Sequence, residues 1–269
     1  MGKRQEKRQR ELEAKRAVRE QKVQKPQFKY LLTVAYDGSR YGGYAKQKHG
    51  NTVQNVLEAT LKTYLGEEIK TTESSRTDAK VHALCQKVQF EWSAKLSLEK
   101  VRTQLNELLP RDIIIIDLET VVPDFHCRHH VLSKTYAYTI TSKLDPRTLD
   151  YGWLVERDLN IEKMIAASRC LLGTHDFSTF KSAKATTDGS VRTINFLEIA
   201  KEGDNLVVRI NADGFLYNMV RLIVKALVDV GSGKEKLDYI ERLLALQEKP
   251  DNLESAPAGG LCLMEIHYP

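Results

Sequence analysis

The sequence predicts an α+β fold with antiparallel sheet, and three observations carry that reading. Strand-like alternation and helical spacing are interspersed along residues 28–269, which fits α+β better than a doubly wound fold. Two alternating segments within 191–211 are joined by Glu202-Gly203-Asp204-Asn205, a turn that makes an antiparallel hairpin. The first half reads strand, helix, strand, helix, strand, and the second follows a related rhythm, a loose duplication with no visible short repeat. The expected divisions are a basic charged tail over 1–26, an N-terminal α+β half over 27–124 and a C-terminal α+β half over 125–269.

Each element follows from local pattern. Residues 1–25 hold few apolar positions (Leu12, Val18, Val23), too few to pack a core, so a disordered tail or a lone charged helix is expected. After Pro26, Phe28, Tyr30, Leu32, Val34 and Tyr36 alternate as a strand, and Asp37-Gly38 opens a loop that runs through Gly42-Gly43. Thr52 is placed to cap a helix carrying Val53, Val56, Leu57, Leu61, Tyr64 and Leu65, with Gly66 as its stop. A polar stretch, Thr71 to Lys80, leads into a strand with Val88, Phe90 and Trp92 on one side and Gln89 and Glu91 on the other. Ser97 is expected to cap a second helix (Leu98, Val101, Leu105, Leu108) ended by Pro110, and Ile113 to Ile116 reads as a short, fully apolar strand. Residues 131–141 alternate as a strand, and Asn160 heads a helix through Ile161, Ile165 and Leu172 that stops at Gly173. After the hairpin come a strong helix from about Phe215 to Val230, another over 236–247, and a last strand from Leu261 to Tyr268.

Composition narrows the class without settling the function. A chain of 269 residues, 42% hydrophobic, can bury one large or two modest cores. No apolar run reaches the ~18–20 residues of a membrane span, and the polar N-terminus is no secretory signal. A cytoplasmic protein is expected, its four widely spaced cysteines (Cys85, Cys127, Cys170, Cys262) fitting reduced thiols. Residues 1–25 contain ten Lys/Arg and four Glu, or +6, so the rest of a +5 chain carries 5 − 6 = −1. Such a tail suits nucleic acid, and it equally suits a solvated charged helix with no partner.

Four groups of residues bear on chemistry. In Ser75-Arg76-Thr77-Asp78-Ala79-Lys80-Val81-His82-Ala83, Arg76 and Asp78 are two apart, so an extended backbone points both the same way. A carboxylate beside a guanidinium stays ionised and can act as a nucleophile; the same tripeptide also fits a surface loop with an ordinary ion pair. The helix near 215–230 is apolar over most of its circumference but for a stripe of Asn218, Arg221 and Lys225, which implies a carboxylate, a phosphate or a structural ion pair as partner. Tyr136 and Tyr138 share one face of their strand, where an aromatic ring can stack on a base or pack the core. The run Phe125-His126-Cys127-Arg128-His129-His130 lacks metal-ligand spacing, and no GxSxG elbow or GxxxxGK[ST] loop is present.

In their order, these segments resemble the TruA family of tRNA pseudouridine synthases. The likeness covers residues 28–269: AYDGSRYGGY at 35–44, NTVQNVLE at 51–58, SRTDAKVHA around Asp78, FHCR at 125–128, KTYAYTI at 134–140, LLGTHDFSTF at 171–180, GFLYNMVRLIV at 214–224 and APAGGLCLMEIHYP at 256–269. The resemblance implies two related α+β halves sharing one long antiparallel sheet with the active cleft between them. It also implies a homodimer that binds tRNA across both subunits and uses no cofactor or metal. By resemblance Asp78 is the nucleophile, Tyr136 stacks on the target uracil, Arg221 pairs with Asp78, and Arg76 is tied to flipping the uridine. Lys80, Arg128 and Asn218 join Arg76 as expected substrate-binding residues. The family's usual targets are uridines at tRNA positions 38 to 40, in the anticodon stem-loop. The chain departs from the family pattern where Ser75 and Lys80 replace glycines, and where Gly43-Tyr44-Ala45-Lys46-Gln47 replaces G-W-Q-x-Q. Rival readings are the same fold acting on another RNA, and a non-catalytic RNA-binding protein.

Overall fold

The structure is a computed structural model describing residues 28–47, 50–182, 189–246 and 248–269. The basic tail lies outside the described residues.

The alternation at the start of the sequence becomes β1 (Phe28–Tyr36). Its residues Tyr30, Leu32, Val34 and Tyr36 enter one core with the apolar faces of α1 (Val53–Leu65) and α2 (Leu98–Leu108). The ends of α1 form as their residue types dictate. Thr52 Oγ1 accepts from Asn55 N at 3.3 Å, and Gly66 closes the helix at φ 81° with its N–H on Lys62 O. Ser97 stands at the start of α2 without a side-chain cap bond, so that expected cap is not made. Asn160 does cap α3 (Ile161–Ser168), accepting from Lys163 N at 2.8 Å; a 3-10 turn over Arg169–Leu171 then finishes the segment expected as one helix.

The remaining strands are β2 (Thr72–Glu73), β3 (His82–Trp92), β4 (Ile113–Val121), β5 (Ser133–Thr141), β6 (Trp153–Leu154), β7 (Gly173–Asp176), β8 (Val191–Glu202), β9 (Asn205–Ala212) and β10 (Leu261–His267). They build one sheet in the order β4-β1-β3-β10-β5-β9-β8-β7, with β2 added beside β3 and β6 beside β5. Pairing is antiparallel except β10 with β3 and β5 with β6, so the predicted α+β class with a long, mostly antiparallel sheet is what forms. The hairpin of β8 and β9 pairs Glu202 with Asn205, as the turn residues predict. β10, the last strand in the chain order, lies at the sheet's centre and joins β3 to β5.

Two elements differ from expectation. The strand expected as short and fully apolar over Ile113–Ile116 is longer: β4 has nine residues and lies at the edge, with Ile113 and Ile115 buried and Ile114 and Ile116 each 48% exposed. The helix expected from Phe215 starts later, as α4 (Met219–Gly231), because Asn218 stands at φ 65°, in the left-handed region. The helix expected over 236–247 is α5 (Tyr239–Ala245).

Candidate active site

A cavity of about 880 Å³ opens where β3, β5 and the start of α4 approach one another. Its walls include Asp78, Tyr136, Asn218, Arg221, Arg128 and Lys134. Segments from both ends of the sequence thus meet at one space large enough for a nucleotide.

Asp78 begins a tight turn closed by Val81 N on Asp78 O at 3.1 Å. The loop after β1 clamps this turn from outside. Lys80 N donates to Tyr41 O at 3.2 Å and Tyr44 N to Thr77 O at 3.0 Å. Backbone lies against backbone here: a Cβ at Gly38 would stand 2.1 Å from Val81 O, and one at Gly43, itself at φ 106°, 2.8 Å from Thr77 O. Only glycine allows that approach. His82 Nδ1 accepts from Gly38 N at 3.0 Å, so Nε2 carries the hydrogen and donates to Asp150 O at 2.9 Å and Gly259 O at 3.1 Å. The imidazole thereby ties the turn to loops from the other end of the chain.

Among the described residues the Asp78 carboxylate makes no hydrogen bond or ion pair. Burial raises its pKa above the usual carboxylate value, and the Arg221 charge opposes that rise. Arg221 is fixed by three contacts: Nε on Ala256 O at 2.6 Å, Nη1 on Asn218 Oδ1 at 2.8 Å and Nη2 on Ser255 Oγ at 3.1 Å. Tyr136 projects from β5 with its hydroxyl 2.9 Å from Ser75 Oγ and its ring edge-on to Phe215, centroids 5.1 Å apart. Its hydroxyl pKa is pushed up to about 12, chiefly by burial. Tyr138, on the same face, is fully buried with its hydroxyl on Pro257 O; it packs the core and does not line the cavity.

The pairing of Arg221 with Asp78 that the resemblance implies is not made among the described residues: the guanidinium is taken up by Ala256, Asn218 and Ser255 and acts on Asp78 through its charge alone. Nor is an ion pair made between Arg76 and Asp78. Both residues line the cavity, but Arg76 Nε pairs with Glu73 Oε1 at 3.0 Å. The reason is burial: the Glu73 side chain is only 5% exposed, and such a carboxylate draws the cations near it. Arg128 reaches the same Oε1 at 2.6 Å. Asn218 lines the cavity and holds Arg221, whereas Lys80 lies on the exposed turn at φ 66°, outside the cavity wall. The departure from glycine at Ser75 supplies the hydroxyl that meets Tyr136, and Tyr44 is fully buried while Ala45 lines the cavity. Lys225, the last of the predicted basic stripe, pairs with Asp229 at 2.5 Å.

Two residues of the site escaped the sequence reading. Lys134 lines the cavity and donates to Ser74 O at 2.8 Å; standing two before Tyr136 on a strand, it shares that face, and the period of two was enough to find it. Glu73, which gathers Arg76 and Arg128, had no local signal, since Arg128 is 55 residues away. Among the described residues no three His, Cys, Asp or Glu side chains are grouped to hold a metal ion, and no helix is long and apolar enough to cross a membrane.

The family profile described as tRNA pseudouridine synthase matches residues 32–130 and 167–269. A "tRNA pseudouridine synthase A 2" of Clostridium perfringens is 41% identical over 239 residues, covering 88% of this chain and 98% of that one. A "tRNA pseudouridine synthase A" of Thermoanaerobacter sp. is 40% identical over 240 residues, with the same two coverages, 88% and 98%. Another from Halalkalibacterium halodurans is 40% identical over 233 residues, covering 86% of this chain and 89% of that one.

Proposed function

The chain belongs to the tRNA pseudouridine synthase family, and from that premise we propose that Asp78 is the nucleophile with which it isomerises uridine in the anticodon stem-loop of tRNA. The observation that carries the assignment is the Asp78 carboxylate itself: half-buried in the wall of a nucleotide-sized cavity, without a hydrogen bond among the described residues, and within the field of an anchored Arg221. A carboxylate that is neither hydrogen-bonded nor paired keeps its lone pairs for attack, and the guanidinium favours its ionised form.

A uridine inside a stem-loop is reached only by extrusion from its stack. Tyr136, on the cavity wall, offers a ring face for the extruded uracil, with Phe215 and Ser75 holding the ring in place. Attack by the carboxylate takes place at C6 of the base or at C1′ of the sugar. Along either route the N1–C1′ bond breaks, the uracil turns, a C5–C1′ bond forms, the carboxylate's own bond to C1′ or C6 breaks to release it, and the proton on C5 leaves while N1 takes up one from solvent. Asn218 orients Arg221, and the tRNA backbone is held by cations around the cavity, with Lys80 at its rim. The working unit is a homodimer in the cytoplasm that binds one tRNA across both subunits, a state that sedimentation with and without tRNA reads directly. The catalytic assignment is tested by pseudouridine formation on an unmodified tRNA transcript with Asp78→Asn, alongside tRNA binding and thermal melting. Substantial turnover by a folded variant overturns it.

A further inference from the structure

Beside the residues given a part in the reaction stands a carboxylate with none. Glu73 ends β2, its side chain 5% exposed, behind the cavity wall. Two guanidiniums converge on its Oε1, Arg76 through Nε at 3.0 Å and Arg128 through Nη2 at 2.6 Å. Arg128 Nε also donates to Glu73 O at 3.1 Å, and Lys134 Nζ to the next carbonyl, Ser74 O, at 2.8 Å. One carboxylate therefore faces three cations, a local sum of 3 − 1 = +2. A single arginine would have satisfied Glu73; the others are an excess that crowds like charges together. The crowding is visible at Lys134, whose pKa is lowered to about 8 by burial first and by Arg128 second.

All three cations line the cavity. Among the described residues Arg76 is bound only through Nε, and it is 69% exposed; Arg128 is bound through Nε and Nη2 and is 37% exposed. Each guanidinium thus keeps further N–H groups free for an oxygen ligand, while Glu73 holds its inner edge. That is the geometry for a tetrahedral anion bonded from several sides.

We propose that this wall is a seat for one RNA phosphodiester next to the uridine drawn into the cavity, and that Glu73 is a positioning residue setting Arg76 and Arg128 for it. The inference rests on the reading of the cavity as the uridine site. Its sign is unusual. Glu73→Gln raises the local sum from +2 to +3, so charge alone would tighten tRNA binding; loss of the positioning carboxylate weakens it instead.

The test is a cycle between protein and RNA. Full-length protein is titrated with tRNA ligated to carry a single neutral methylphosphonate at each phosphate flanking the target uridine. At one position the replacement is expected to weaken wild-type binding about tenfold, and to cost Arg128→Gln no more than about twofold, because the partner charge is already gone. On native tRNA, Arg128→Gln is expected to lower the salt slope by about one unit, and Glu73→Gln to raise KM. Equal costs in wild type and variant at every phosphate, or tighter binding by Glu73→Gln, overturn the proposal. Arg76→Gln, at a well-exposed side chain, carries the same cycle should Arg128→Gln melt at the assay temperature. A wild type that forms no pseudouridine on an unmodified tRNA transcript overturns the reading of the cavity and this inference with it; an active wild type without coupling overturns this inference alone.

Discussion

Arg76 and Arg221 face the same cavity from opposite ends of the sequence and are held in opposite ways. Arg76 stands two residues from Asp78, yet it turns to Glu73, is bonded through Nε alone among the described residues and is 69% exposed. Arg221 comes from the first turn of α4, is held at all three guanidinium nitrogens, and is the charge that acts on Asp78. A cation with three fixed contacts cannot follow a moving ligand. It supplies a constant field, which is what a reacting carboxylate needs. A cation with one contact on a solvated side chain has N–H groups to spare and room to meet RNA. Distance along the chain decides neither role; the number of anchors does.

The comparison breaks first at Asp78, where the largest effect is expected. Asp78→Asn should reduce pseudouridine formation to background while tRNA binding, dominated by phosphate contacts, persists. Stability gives a signed check. Burial raises the Asp78 pKa in the folded state, so the protonated form is favoured by folding, and that contribution is lost as pH rises through the folded pKa. At neutral pH the ionised group therefore opposes folding, and Asp78→Asn should melt at the same temperature or higher. A marked drop in Tm would contradict the burial argument.

Next comes the contrast between the arginines. Arg221→Met should lower kcat roughly 10²-fold and leave the burial of Asp78 unopposed, so the acid limb of the kcat–pH profile should move to higher pH. Arg76→Met should raise KM and leave that limb in place. Limbs that move together in the two variants would erase the distinction. Tyr136 sharpens it further: Tyr136→Phe keeps the ring and loses only the bond to Ser75, worth about 1 kcal/mol, or roughly fivefold. Tyr136→Ala should lose far more, with kcat as the readout. Equal losses would assign the role to the hydroxyl. The smallest effect is expected at Lys80, at φ 66° on the turn after Asp78. Lys80→Gly should raise stability by about 0.5–1 kcal/mol in urea melts, and an unchanged midpoint would remove backbone strain from the account of this loop.

Much of this architecture is legible in the sequence where the physics is local. The alternation of β1, the Thr52 and Gly66 ends of α1, the Asn160 cap and the turn between β8 and β9 each depend on a few neighbouring residues. Errors begin where a distant partner decides. Four consecutive isoleucines read as a short, fully apolar strand, but the strand runs on to Val121, and an edge place in the sheet leaves Ile114 and Ile116 half in water. The apolar run from Phe215 reads as continuous helix, but the left-handed Asn218 interrupts it, with its side chain bonded to Arg221. The site follows the same rule. Asp78, Tyr136 and Arg221 stand out by motif, and Lys134 by its place on Tyr136's strand. The pairing of Arg76 with Glu73 rather than Asp78 depends on burial, and the reach of Arg128 across 55 residues depends on tertiary packing.

The central place of β10 has a consequence for how the chain comes off the ribosome. Residues 261–267 are translated well after β3 and β5, yet they are the rungs that join those two strands. Until they emerge, β3 and β5 each present a bare edge to the cell, an invitation to mispairing. Contacts so remote in sequence close slowly, so maturation is expected to lag synthesis and to proceed as one late, concerted event. The same arrangement keeps a nascent chain inert: the cavity walls contributed by Asp78 and Tyr136 are not locked together by the sheet until β10 has been made.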